Sequence, residues 1–133
     1  MKRIPTDLKI LETIYERYFA EYCDYSEDER SAKIYVPIDI DSLAHELQIE
    51  PDLLFGRLYY HLEHKYGYEH EDGTKVPFFA LRSGDDIHCV NFPYMSSVLA
   101  DLQHRFFKSS LALSIAAGSL LVSGISLVIS LLG

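Results

Sequence analysis

The chain has 133 residues, with 20 acidic and 12 basic side chains and a formal net charge of −8. All of these charges precede Ser109, so the near-zero mean hydropathy averages a polar region with an apolar tail. The polar region is long enough to bury a single hydrophobic core. Because the N-terminus lacks the apolar region of a signal peptide, we expect a reducing compartment and two free thiols, Cys23 and Cys89.

The first predicted helix runs from Asp7 to about Cys23, with Thr6 as its N-cap. Its apolar residues recur at helical spacing, which indicates one wide face directed at a core. A short strand follows from Ile34 to Ile38, and Pro37 confines it to a sheet edge or a strand end.

Two helices separated by a tight turn are predicted next. Asp41 or Ser42 caps a short first helix, and the turn takes residues 48–50. Pro51 suits the first position of a second helix, which extends to about Lys65. We expect this second helix to bury Leu54, Phe55, Leu58 and Leu62.

Strand-forming residues and two turn signals complete this region. Asp72–Gly73 predicts a two-residue hairpin turn, and a second turn is predicted at residues 83–86. Three strands therefore lie between Tyr68 and Phe92. The strand at Ile34 is expected to join them in one small meander.

The order helix, strand, helix, helix and β-hairpin resembles a winged-helix domain over residues 4–92. The resemblance suggests DNA binding, although fold alone does not settle function. Residues 41–66 hold two basic against five acidic side chains, and the hairpin adds further acids. Because DNA binding depends on neutralising several phosphates, this surface should repel a duplex.

The outward face of the second helix carries the candidate partner- or DNA-binding residues. Aromatic and arginine side chains are favoured at protein interfaces, so a protein partner is preferred over nucleic acid. The candidates are Arg57, Tyr60, His61, His64 and Lys65.

No catalytic motif is recognisable: the sequence has no phosphate-binding glycine loop, no nucleophile elbow and no paired carboxylates in a known context. His61, His64 and His70 are the only metal-like cluster, and no cysteine or carboxylate completes a ligand spacing. We therefore predict a non-enzymatic protein with no metal site and no cofactor.

The segment from Ser109 to Gly133 contains no charge, no proline and no aromatic residue. As a helix it would be roughly 37 Å long, enough to cross a bilayer core of about 30 Å. It predicts one transmembrane helix, and the basic residues before it place the N-terminal domain in the cytoplasm, as in a tail-anchored protein of the inner or cytoplasmic membrane. Four residues are predicted to anchor the membrane interface: Arg105, Phe106, Phe107 and Lys108.

Small residues recur along this segment at alternating spacings of three and four. This heptad pattern forms one face, here called the small-residue seam, along which helices can approach closely. We expect the seam to hold copies of the chain together as a homo-oligomer. It consists of Ser109, Ala112, Ala116, Ser119, Ser123, Ser126 and Ser130.

A final helix is predicted to open at Pro93 and to run without a break into the apolar segment. Its apolar stripe has two interpretations: it continues the seam as a neck between copies, or it docks on the winged-helix core. The stripe consists of Met95, Val98, Leu99, Leu102 and Phe106.

The predicted organisation is therefore α+β, with a winged-helix-like cytoplasmic domain (1–92), an amphipathic neck helix (93–108) and a transmembrane helix (109–133). The preferred hypothesis is a membrane-anchored interaction module that self-associates through its transmembrane helix. The alternatives are a membrane-tethered, DNA-binding transcription regulator and a membrane-active effector whose bundle opens a pore.

Overall fold

The computed structural model describes residues 3–132, and the side chains of residues 122, 123, 126 and 127 lie outside that description. The architecture is α+β, as predicted. The chain divides into two compact units, Met1–Leu99 and Ala100–Gly133, here called unit 1 and unit 2. The finer division at residues 92 and 108 stays a prediction.

Helix α1 (Asp7–Cys23) begins where the sequence predicts, because the Thr6 hydroxyl accepts a hydrogen bond from the Lys9 N–H at 3.1 Å. Its inward face supplies part of the core of unit 1. The fully buried apolar side chains of α1 are Ile10, Leu11 and Ile14.

Helix α2 (Ile40–Leu47) begins earlier than predicted. Neither Asp41 nor Ser42 is its N-cap. Asp39 takes that position, because its carboxylate accepts a hydrogen bond from the Ser42 N–H at 3.1 Å. The helix ends at Leu47, and its C-cap Gln48 adopts a left-handed conformation with φ of 59°.

The second helix of the pair continues through three parts: α3 (Pro51–Gly56), a π-helical segment (Arg57–Leu62) and α4 (Glu63–Tyr66). We call the whole the α3–α4 helix. Pro51 lies in its first turn, as predicted. Phe55 is only half-buried, against prediction. Three predicted core residues are fully buried: Leu54, Leu58 and Leu62.

The strands form two separate antiparallel sheets, not the single predicted meander. One sheet has the order β1 (Tyr35–Pro37), β5 (Asp86–Asn91), β4 (Phe79–Ser83). The other pairs β2 (Tyr68–Glu69) with β3 (Lys75–Val76).

Pro77 lies between β3 and β4 and explains the split, because proline cannot donate a ladder hydrogen bond. Pro37 lies on the edge strand β1 and pairs with Cys89, which confirms the prediction for that proline. The predicted turn between β4 and β5 is also present, with Gly84 at φ of 60°.

Helix α5 (Phe92–Leu132) begins one residue before the predicted start at Pro93. The Asn91 side-chain oxygen accepts a hydrogen bond from the Tyr94 N–H at 3.3 Å and caps the first turn. The beginning of the predicted stripe docks in the core of unit 1, which favours the second interpretation of that stripe. The buried residues are Met95, Val98 and Leu99.

In the part of the chain that the structure describes, no helix offers an apolar run that could cross a bilayer. This finding contradicts the predicted transmembrane helix. It also contradicts the tail anchor and the membrane localisation that depended on that helix.

One carboxylate ties the α3–α4 helix to the beginning of β4. Glu63 Oε2 accepts hydrogen bonds from the N–H groups of Phe78 at 2.7 Å and Phe79 at 2.6 Å. Both phenylalanines are buried, so these amides would otherwise lack a partner. Gly67 follows the helix so closely that a Cβ there would lie 2.5 Å from Glu63 Oε1 and 2.7 Å from the Glu63 carbonyl oxygen.

We predict that Gly67→Ala lowers the free energy of unfolding by about 1–3 kcal/mol, because the new methyl group displaces a carboxylate that two amides hold in place. Gly56→Ala is the matched control. Its Cβ would meet only the Tyr60 ring, at an ordinary 3.5 Å, and alanine favours a helix by roughly 0.5–1 kcal/mol. Urea unfolding should therefore move the two midpoints in opposite directions, and equal midpoints would contradict the account.

Candidate functional site

The five predicted contact residues all lie on the π-helical segment and α4, but they are not equally available. Tyr60 is well exposed, with 77% of its surface accessible. Three others, His61, His64 and Lys65, are also exposed. Arg57 is partly buried, and its guanidinium group already donates hydrogen bonds to Pro5 and Asp7.

Asp7, at the beginning of α1, contacts two basic side chains of the α3–α4 helix, Arg57 and His61. Its Oδ1 lies 2.5 Å from an Arg57 guanidinium nitrogen, and its Oδ2 lies 3.1 Å from His61 Nε2. Arg57 also donates to the Pro5 carbonyl at 2.8 Å. These contacts join the N-terminus of α1 to the α3–α4 helix, so Arg57 serves as an internal brace.

The pKa of Asp7 reflects this arrangement. Burial raises its pKa, but the hydrogen bonds and positive charges of Arg57 and His61 outweigh burial and hold the pKa below the usual value. The charged carboxylate is therefore the form that the fold stabilises.

The brace changes the electrostatics expected of a DNA-reading helix. Among the five candidates, Lys65 is the one exposed side chain with a permanent positive charge, and it lies 5.3 Å from the Tyr66 ring. Phosphate binding requires several such charges. These candidates therefore offer a single exposed permanent positive charge for phosphate contacts.

An exposed apolar and aromatic surface accompanies these residues. Leu53, earlier on the same helix, is 61% exposed, and Tyr60 packs edge-on against Phe55 with ring centroids 5.9 Å apart. Large side chains that combine an apolar body with a hydroxyl are enriched at protein interfaces. His64 belongs to a neighbouring cavity of about 550 Å³ between this helix and the β2–β3 hairpin.

Sequence reasoning missed the contact between Tyr59 and His88. His88 is half-buried, and its Nδ1 lies 3.1 Å from the Tyr59 hydroxyl. His88 also has a left-handed φ of 54°, which is uncommon outside glycine. Burial raises the pKa of Tyr59 to about 12, so its hydroxyl stays protonated at neutral pH and can donate to the ring nitrogen. No signal in the sequence marks this long-range pair.

Unit 2 presents the second candidate surface. From Ser109 onward α5 has no charged side chain, and its large apolar residues are more than half exposed on every side of the helix. Those with described side chains are Leu111, Leu113, Ile115, Leu120, Leu121, Ile125, Val128, Ile129, Leu131 and Leu132.

The small-residue seam lies along this same helix. Its described side chains are all exposed: Ser109, Ala112, Ala116, Ser119 and Ser130. The side chains of Ser123 and Ser126 lie outside the described residues. Gly118 and Gly124 lie off the seam, and a Cβ added at either would meet nothing within 4 Å.

The four residues predicted as membrane-interface anchors precede this segment. Arg105 pairs with Asp101 one turn earlier at 2.8 Å, and both side chains are largely exposed. Phe106, Phe107 and Lys108 are exposed as well. Their predicted role requires the transmembrane helix that the structure contradicts.

Within residues 3–132, no three histidine, cysteine or acidic side chains group in a way that could hold a metal ion. Cys23 is exposed and Cys89 is buried, and both are free thiols. No protein-family model matches the chain, and neither a curated protein nor a solved structure shows significant similarity to it. The winged-helix resemblance accordingly stays a prediction.

We predict that Asp7→Asn destabilises the protein by about 1–3 kcal/mol at pH 7, because Arg57 and His61 lose a charged acceptor. The pKa of Asp7 is lowered in the folded state, so its contribution is fully present above the ordinary value of 3.8. That contribution disappears as the pH falls through the lower folded value. Urea unfolding at several pH values should show the difference from the unsubstituted chain shrinking below about pH 4.

Asp28→Asn serves as the control, because Asp28 is an exposed acid in the loop after α1. It should change stability by less than about 0.5 kcal/mol at every pH. An Asp7→Asn effect no larger than that of the control would show that the brace contributes nothing.

Proposed function

We propose that the chain is a non-enzymatic interaction protein that self-associates through the uncharged part of α5. Unit 1 is proposed to act as a winged-helix-like module that binds a protein partner. Neither activity depends on a membrane span. The observation that carries the proposal is the exposure of large apolar side chains all around the helix after Lys108.

A helix that is apolar on every side is stabilised when another surface packs against it and removes its apolar side chains from water. Burying one leucine or isoleucine side chain is worth about 1.5–3 kcal/mol. Several such residues together offset the roughly 4–15 kcal/mol that association costs in lost freedom of motion. The uncharged segment supplies many of them, so association is energetically accessible.

A second copy of the chain is the partner proposed for this segment, although the charges elsewhere in the chain oppose its approach. With a net charge of −8, two copies repel one another over most of their length. The segment after Lys108 has no charge and therefore allows close approach without electrostatic cost. Small residues along the seam allow the two backbones to come near one another, so that the flanking leucines and isoleucines interdigitate.

For unit 1, the exposed part of the α3–α4 helix supports a protein partner. Tyr60 and Leu53 offer apolar contact area, and the braced Arg57 gives the helix a fixed position against α1. A preorganised surface loses less entropy on binding than a mobile one. Tyr60 is the residue whose replacement should weaken such an interaction most.

We predict that Ala116→Leu combined with Ser119→Leu weakens self-association by roughly 10- to 100-fold, because two large side chains then keep the helices apart along the seam. Light scattering after size-exclusion chromatography, over a range of concentrations, measures the effect. The matched control is Ser114→Leu with Ala117→Leu, which adds the same residues at the same spacing away from the seam.

The control pair should retain association, since Ser114 uses its hydroxyl only for the Ser110 carbonyl at 3.0 Å. If both pairs weaken association equally, the seam has no special role. If neither does, α5 does not hold the copies together through this face.

A further inference from the structure

Charge is distributed very unevenly along the chain. Unit 1 holds all but one of the acidic residues and all but two of the basic residues, and is strongly acidic. The charged side chains of unit 2 are Asp101, Arg105 and Lys108, all near its beginning. Arg105 is paired with Asp101, which leaves Lys108 as the unpaired positive charge at the edge of the uncharged segment.

From this distribution we infer that two copies of α5 pair in antiparallel orientation, an inference that rests on the proposed self-association. Parallel pairing would bring the two acidic N-terminal units to the same end of the paired helices, where they repel. Antiparallel pairing places them at opposite ends. The repulsion then falls with distance and with screening by salt.

The helix dipoles favour the same orientation. Antiparallel neighbours place the partial positive N-terminal end of one helix beside the partial negative C-terminal end of the other. Lys108 of each copy then lies near the last turn of the other copy's helix, which ends at Leu132. A cation at that position complements the unpaired carbonyl groups of the last turn.

The seam is compatible with this arrangement and fixes its register. Ala112 and Ser130 are seam residues equally far along the chain from Leu121. A two-fold axis at Leu121 therefore places Ala112 of one copy opposite Ser130 of the other. The uncharged segments of the two copies then overlap along their whole length, and no charged side chain is buried between them.

Disulfide cross-linking of the full chain tests the orientation. Ala112→Cys and Ser130→Cys are prepared separately, each with Cys23→Ser to remove the exposed native thiol. Cys89 remains, because it is buried and burial raises its pKa to about 11. The variants are oxidised alone and as an equal mixture, and the mass of each sample is measured in parallel.

Antiparallel pairing predicts a cross-linked dimer in the mixture and none in either variant alone. Self-cross-linking of both single variants would demonstrate parallel pairing and overturn the inference while leaving self-association intact. Association without any cross-link would show that Ala112 of one copy does not lie opposite Ser130 of the other, and would overturn the inferred register. A monomeric chain in every sample would overturn the proposed function itself.

Discussion

The structure leaves one physical requirement unmet within a single chain: the large apolar side chains after Lys108 are exposed around the whole helix. Unit 1 buries a core of large apolar residues, including Phe78, Phe92 and Met95, and no buried side-chain polar atom among its described residues lacks a hydrogen-bond partner. Unit 2 as described has apolar surface in excess. The two units therefore differ in how much apolar surface they expose, and the proposed self-association would bury the exposed apolar surface of unit 2.

Local signals in the sequence predicted much of unit 1. The Thr6 cap, the turn position of Pro51 and the glycine of the β4–β5 turn act within a few residues, and the structure confirms each. The predicted N-cap of α2, Asp41 or Ser42, was wrong, because Asp39 takes that position. Asp39, Asp41 and Ser42 are all good capping residues, so the sequence alone does not choose among them.

The features that sequence reasoning missed depend on residues far apart in the chain. Arg57 meets Asp7 only once α1 packs beside the α3–α4 helix, and Glu63 meets the amides of Phe78 and Phe79 only once β4 is in place. Periodicity carries no information about either contact. The consequence for the site is large, because Arg57 was predicted to face a partner and instead braces the fold.

The apolar segment is a second case in which the sequence alone led to a wrong prediction. Its composition alone favoured a membrane span, which the described residues do not support. Its apolar side chains are exposed, so burying them against another surface would still be favourable. Sedimentation velocity of the full chain in aqueous buffer, beside a chain that ends at Lys108, tests this most directly. The account predicts one discrete assembly above the 15.3 kDa of the monomer for the full chain, and a monomer for the shortened one. A full chain that remains monomeric at every concentration would contradict it.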